Sequence, residues 1–299
     1  MSGPNLRSLL LRQAGLLDLC SVASPSSSVA IALIDGSADT RHPALSDSGI
    51  TKVGDSRSVP AADHATFLAS ILVASEPTRQ SGVALGISSK CILYNFSVVT
   101  DAMLSGRAST FQTASVLGAA VNEAVQAGGR VIVFGIEIRY SQSADWHPLS
   151  SAVRAASERG VMVIAPLGNS QQSQPSNWPG IWTVVSCDWR GRVSAFCSQP
   201  LRSNSTIVAP GESVPGAGPE GKYAVRSGTS FAAAVAAGAF AHAASLSPRR
   251  PVFDIAAELC PPTHRLLDGT RYQSRTGDLS WSQNLPIHRT LNTSVQMHP

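Results

Sequence analysis

Charge is scarce in this chain. Of its 299 residues only 14% are Asp, Glu, Lys or Arg, with a mild net charge of +4 and a pI near 9.0. It holds no Lys/Arg block and no stretch that interleaves basic with aromatic residues, so nothing supports a nucleic-acid partner. Cysteine is present but unorganised. Cys20, Cys91, Cys187, Cys197 and Cys260 form an odd, scattered set without a CxxC spacing. That argues against a disulfide framework and a thiolate zinc site, and leaves core thiols. A long hydrophobic run is missing at the N-terminus. Leu9-Leu10-Leu11 is cut by Arg12 and Gln13, too short for a signal-peptide core and far too short for a membrane span. An amphipathic helix from about Asn5 to about Leu19 fits better. The expected location is cytoplasmic, with no membrane contact. No repeat or low-complexity tract appears.

What is abundant is small and apolar. Hydrophobic residues make up 43% of the chain, enough for one large α/β domain with a substantial core. Val29-Ala-Ile-Ala-Leu-Ile-Asp35 reads as a buried strand ending in an acid. A polar loop follows over about 37–62. A helix then opens at about Asp63-His64, with Phe67, Leu68, Ile71 and Leu72 at helical spacing. Ser81 to Gly86 is a turn. Strands are expected at 91–98, 130–136, 161–166, 181–187, 193–196 and 206–210, and helices at 109–126, 149–159, 230–245 and 253–259. Between Val29 and Pro166 strand and helix alternate, the signature of a mostly parallel sheet covered by helices on both faces. The chain beyond about Pro248 is richer in Pro, Thr, Arg and Gln. It is expected to end as an arm or tail over 263–299, partly disordered.

Four polar residues stand at strand ends or helix starts. Asp35 is an Asp-Gly turn residue or a site acid at a sheet edge. His64 is a helix-start histidine or a group aimed into a cleft. Asn169 follows the strand ending at Pro166. Ser230 opens the Ala-rich helix, where it is a cap or a nucleophile beside unpaired N–H groups. Each alone takes the plainer reading. Together, Ile34-Asp35-Gly36, His64-Ala65-Thr66, Gly168-Asn169 and Gly228-Thr229-Ser230-Phe231-Ala232 resemble the subtilisin-like serine proteases, in the same order Asp, His, Ser. The turns Gly82–Gly86 and Ala209-Pro210-Gly211 look like family turns too. The likeness spans about Val29 to Ala244.

The resemblance implies a three-layer subtilisin-like α/β fold over 28–262, preceded by a helical arm over 1–27. It implies Ser230 as nucleophile, His64 as general base and Asp35 as its orienting acid. It implies Asn169 as a side-chain oxyanion donor beside the Ser230 N–H. Gly135-Ile136-Glu137, with Gly168, matches the family's substrate-binding stretch. No metal or cofactor is expected, since Asp39, Asp47 and Asp55 are scattered. A closer likeness is to the subtilases of cyanobactin maturation, on Leu33-Ile34-Asp35-Gly36-Ser37-Ala38-Asp39 with His42-Pro43, on Gly228-Thr229-Ser230-Phe231-Ala232, and on Leu266-Leu267-Asp268-Gly269. Only 34 residues precede Asp35, which fits an intracellular, self-sufficient protease.

Some positions depart from the family pattern. Ala65 replaces the usual Gly after the histidine, and Ala234 the usual Pro four residues after the nucleophile. Glu137 stands where a Gly is common. It is either a lure for a basic substrate side chain or, as exposed Glu usually is, a group pointing to solvent. The leading function is hydrolysis of a peptide bond in a precursor peptide. The alternatives are a catalytically weak subtilase-fold binding partner in a biosynthetic complex, and a macrocyclase acting by transpeptidation.

Overall fold

The run Ala30–Asp35 forms β1, and its alternating side chains serve two cores at once. Ile31 and Leu33 pack into one, Ala32 and Ile34 into the other. A strand buried on both faces reads as a continuous apolar run, and this is the case here. The structure is a computed structural model that describes residues 29–75, 86–138, 144–170, 179–197 and 206–259. The expected N-terminal helix, most of the Ser81–Gly86 turn and the expected tail lie outside these residues.

After β1 come β2 (Ile50–Val53), α1 (Val59–Val73), β3 (Ile92–Ser97), the single turn α2 (Asp101–Leu104) and α3 (Thr110–Gln126). They are followed by β4 (Gly129–Phe134), α4 (His147–Glu158), β5 (Met162–Pro166), β6 (Ile181–Cys187) and β7 (Thr206–Pro210). The last elements are β8 (Val214–Ala217), β9 (Tyr223–Arg226), α5 (Thr229–Leu246) and α6 (Val252–Leu259). Seven strands make one parallel sheet in the order β2-β3-β1-β4-β5-β6-β7, and β8 and β9 pair as a separate antiparallel hairpin. Helices α1, α5 and α6 cover one face and α3 with α4 the other. The chain runs from β1 out to the edge strand β2, returns to β3 beside β1, and then crosses to β4 on the other side. The carboxyl ends of β1 and β4 therefore flank the crevice where such sheets carry their sites.

Helix α5 explains how the nucleophile candidate is held. Residues 229–245 are all buried, so this helix has no solvent face. Among the described residues it alone is long and apolar enough to cross a membrane, and it is the core helix of the fold. Its Ala residues keep the helix thin, so it can lie close to α1 and to β4 through β7 at the same time.

Three expectations are corrected. The loop over 37–62 contains β2 and the first turn of α1. Ser58 caps α1, accepting the Ala61 N–H at 3.2 Å, and Pro60 sits in the first turn, where proline is tolerated. His64 is consequently in the second turn rather than at the helix start. The expected strand at 193–196 reduces to one bridge between Cys187 and Val193. The short helix α2 and the β8–β9 hairpin were not expected.

Candidate active site

Asp35 ends β1 on the face shared by Ile31 and Leu33, which is the face of α1 and α5. It is 1% exposed. Its Oδ1 accepts the Gly36 N–H at 2.7 Å, and its Oδ2 lies 2.6 Å from His64 Nδ1. A buried carboxylate needs such partners. Behind it stands Gly135, the residue after β4. A Cβ there would lie 2.0 Å from Asp35 Oδ2, so the absence of a side chain makes room for the carboxylate.

His64 projects from α1 between Asp35 and Ser230. The carboxylate can only accept, so Nδ1 carries the proton and Nε2 is left as acceptor. Nε2 lies 2.9 Å from Ser230 Oγ, which donates to it. The ring packs against Phe231 at 5.6 Å between centroids, and Phe231 against Phe67 at 4.7 Å. The His64 side chain is 27% exposed, enough to reach a substrate and little enough to stay in one orientation.

Ser230 is the second residue of α5. The cap position is Gly228, which supplies no side-chain oxygen to the helix N-terminus. The first N–H groups of the helix are thus available to other acceptors. The Thr229 N–H is taken by Asn169 Oδ1 at 2.8 Å, and the Thr229 hydroxyl donates to the same oxygen at 3.0 Å. That hydroxyl also accepts the Gly168 N–H at 3.1 Å. With two donors on its oxygen, the Asn169 amide is oriented with Nδ2 turned to the Gly228 side of the turn, 3.4 Å from where a Cβ of Gly228 would stand. Gly168 has φ of 113°, a conformation that favours glycine, and its N–H is already engaged.

These groups open on a cleft of about 490 Å³. Besides the triad, its lining includes Pro60, Leu104, Gly135, Ile136, Glu137, Gly168 and Asn169. Glu137 is half-buried, with Oε1 covered, so it does not simply point to solvent as exposed Glu usually does. Residues 26–260 match the family model for the subtilase family, and this stretch is most of the chain. The chain belongs to the subtilase family.

Solved structures agree with that membership. The prenylagaramide maturation protease PagA superposes with a TM-score of 0.74 at 25% identity, over 91% of this chain and 98% of that one. A PatG macrocyclase in complex with peptide gives 0.73 at 20% identity, over 89% and 92%. The nisin leader peptidase NisP from Lactococcus lactis gives 0.65 at 17% identity, over 85% and 87%. The last two show the fold alone. Among curated proteins no sequence match was found.

Within this subtilase, the structure brings Asp35, His64, Ser230 and Asn169 together at one cleft. Two features at the site had no separate signal in the sequence. One is the Thr229 hydroxyl, which sets the Asn169 amide. The other is the contact of Gly135 with Asp35, in a residue expected only to meet substrate. Among the described residues, no group of three or more His, Cys, Asp or Glu side chains could hold a metal ion.

Proposed function

We propose that this subtilase is a serine endopeptidase that hydrolyses a precursor peptide through an acyl-enzyme. The observation that carries this reading is the hydrogen-bonded series Asp35–His64–Ser230 at the cleft. Ser230 Oγ attacks the scissile carbonyl carbon while His64 Nε2 takes its proton. The oxyanion accepts hydrogen bonds from Asn169 Nδ2 and the Ser230 N–H, at the positive end of α5. His64 gives the proton to the leaving amine as the C–N bond breaks. A water molecule, deprotonated by His64, then attacks the acyl carbon, and Ser230 leaves with the proton. Asp35 keeps the Nδ1–H tautomer in place and stabilises the imidazolium in both halves.

PagA supports the substrate class, since it is named a maturation protease. The test is labelling with a fluorophosphonate. Wild type should label, and Ser230→Ala should neither label nor cleave while keeping its circular dichroism spectrum. A folded wild type that never labels would instead mark a binding partner. A cyclic product from a linear peptide, seen by mass spectrometry, would replace water by a substrate amine in the second step.

A further inference from the structure

Beside His64 lies an ion pair that the chemistry above does not use. Arg226 Nη2 is 2.6 Å from Asp63 Oδ2. Asp63 immediately precedes His64 on α1. Arg226 ends β9 and stands four residues before Ser230. The pair therefore joins the helix of the proposed base to the strand that leads into the nucleophile turn. Other pairs, Arg41–Asp39, Arg57–Asp55, Arg154–Glu158, Arg192–Asp188 and Lys222–Glu220, link residues within four positions of one another.

The surroundings make this pair more than a surface contact. The two side chains are 28% and 31% exposed. The guanidinium also lies over the Phe67 ring, 5.0 Å from its centroid. Phe67 packs on Phe231, and Phe231 on the His64 ring. Asp63 Oδ1 is buried and has no hydrogen-bond partner among the described residues. Arg226 is thus what balances the Asp63 charge, in a place where screening by water is reduced.

We propose that Asp63 and Arg226 are positioning residues for His64, fixing α1 against β9 and presenting the imidazole with a neutralised neighbour. This rests on His64 acting as the base. The other groups facing His64 stay constant when the pair is altered. They are Asp35 from β1, Ser230 from α5 and Glu137 across the cleft. Asp39, after β1, and Asp101, on α2, meet α1 at Thr66 and Ser58. β8 brings no titratable side chain, and Tyr94 of β3 packs into the core on the other face of the sheet. His242 is about 18 Å along α5 from Ser230, at 1.5 Å per residue.

The test is the rate of fluorophosphonate inactivation of the full chain, measured from about pH 5 to about pH 9, the range in which a histidine base titrates. Arg226→Gln leaves a bare carboxylate beside the imidazole and should move the acid limb to higher pH. Asp63→Asn leaves a bare guanidinium and should move it to lower pH. Each shift should be about 0.3–1 pH unit, and the double variant should return close to wild type. Arg226→Lys keeps the charge and should keep the limb, with the plateau rate reduced several-fold by the lost geometry. Thermal melts confirm that each variant is folded, and the near-isosteric Asp63→Asn carries the test if Arg226→Gln does not fold. Limbs that stay in place, or that move in the same direction in both single variants, overturn the proposal. A wild type that never labels overturns the serine-protease reading beneath it.

Discussion

At Gly135 one methyl group is enough to displace Asp35. The Cβ of an alanine would stand 2.0 Å from Oδ2 and 3.0 Å from Leu68 Cδ1, so either the carboxylate or the backbone after β4 must move. Gly135→Ala should slow fluorophosphonate inactivation by about 10²-fold, the scale of an ångström of misplacement in a catalytic group. Its thermal midpoint should fall as well, in line with overpacking. At Asn169 the expected effect is chiefly on rate, with a smaller loss of stability because the buried Thr229 N–H and hydroxyl lose their acceptor. Asn169→Ala should reduce peptide hydrolysis by about 10²–10³-fold, as loss of one oxyanion donor does, with the fold intact. Asp35, His64, Asn169 and Ser230 were legible in the sequence only as a set, because each follows an apolar strand or sits in an apolar helix and their motifs together resemble those of the subtilases. The roles of Gly135 and Thr229 were not. They depend on how a carboxylate and an amide are turned, and those orientations are set by contacts 100 and 60 positions away.

Elements with unbroken apolar patterns were legible, and those that rely on a single side-chain contact were not. β1, β4, β5 and β6 are buried on both faces and announce themselves as apolar runs. β8 reads Val-Pro-Gly-Ala, two of whose residues are poor in strands. It is held by pairing with β9 and by the Ala217 N–H on Ser70 Oγ at 2.8 Å. The start of α1 was hidden for a similar reason, since Ser58-Val59-Pro60 looks like loop until the cap is seen. Ser58 Oγ accepts the Ala61 N–H and donates to Asp101 Oδ1 at 2.6 Å, which links α1 to α2 and to Leu104 on the cleft wall. Ser58→Ala should therefore cost about 1 kcal/mol in urea unfolding. It should also weaken peptide binding through the freed α2, seen as a KM that rises more than kcat falls. An equal fall in kcat without change in KM would mean that α2 does not shape the cleft.

For the whole molecule, the buried cysteines report on whether the core under α1 and α5 opens together with the small cluster beside β6. Burial pushes the Cys91 thiol up to about 11. Burial, with the neighbouring Asp188 carboxylate, pushes Cys187 up to about 12, and burial raises Cys197 to about 11. Their ordinary value is 9.0, so at pH 8 the native chain holds almost no thiolate at these positions. Iodoacetamide at pH 8 should leave all three unmodified in the native protein and alkylate them in urea, as peptide mapping by mass spectrometry would show. Ser230→Ala is the form to use, so that self-digestion does not confuse the map. The sign of the pH effect follows from the same shifts. A thiol raised in the folded state stabilises the fold fully below about pH 9, and that contribution fades as pH climbs toward the folded values. The urea midpoint should therefore decline from about pH 9 upward. Cys91 packs in the core under α1 and α5, while Cys197 belongs to a small separate cluster with Leu167 and Val185. Equal alkylation rates in low urea would mean that the core under α1 and α5 and the cluster beside β6 open as one unit. A faster Cys197 would mean that the corner beside β6 opens first, and with it the support of the strand end before Gly168 and Asn169.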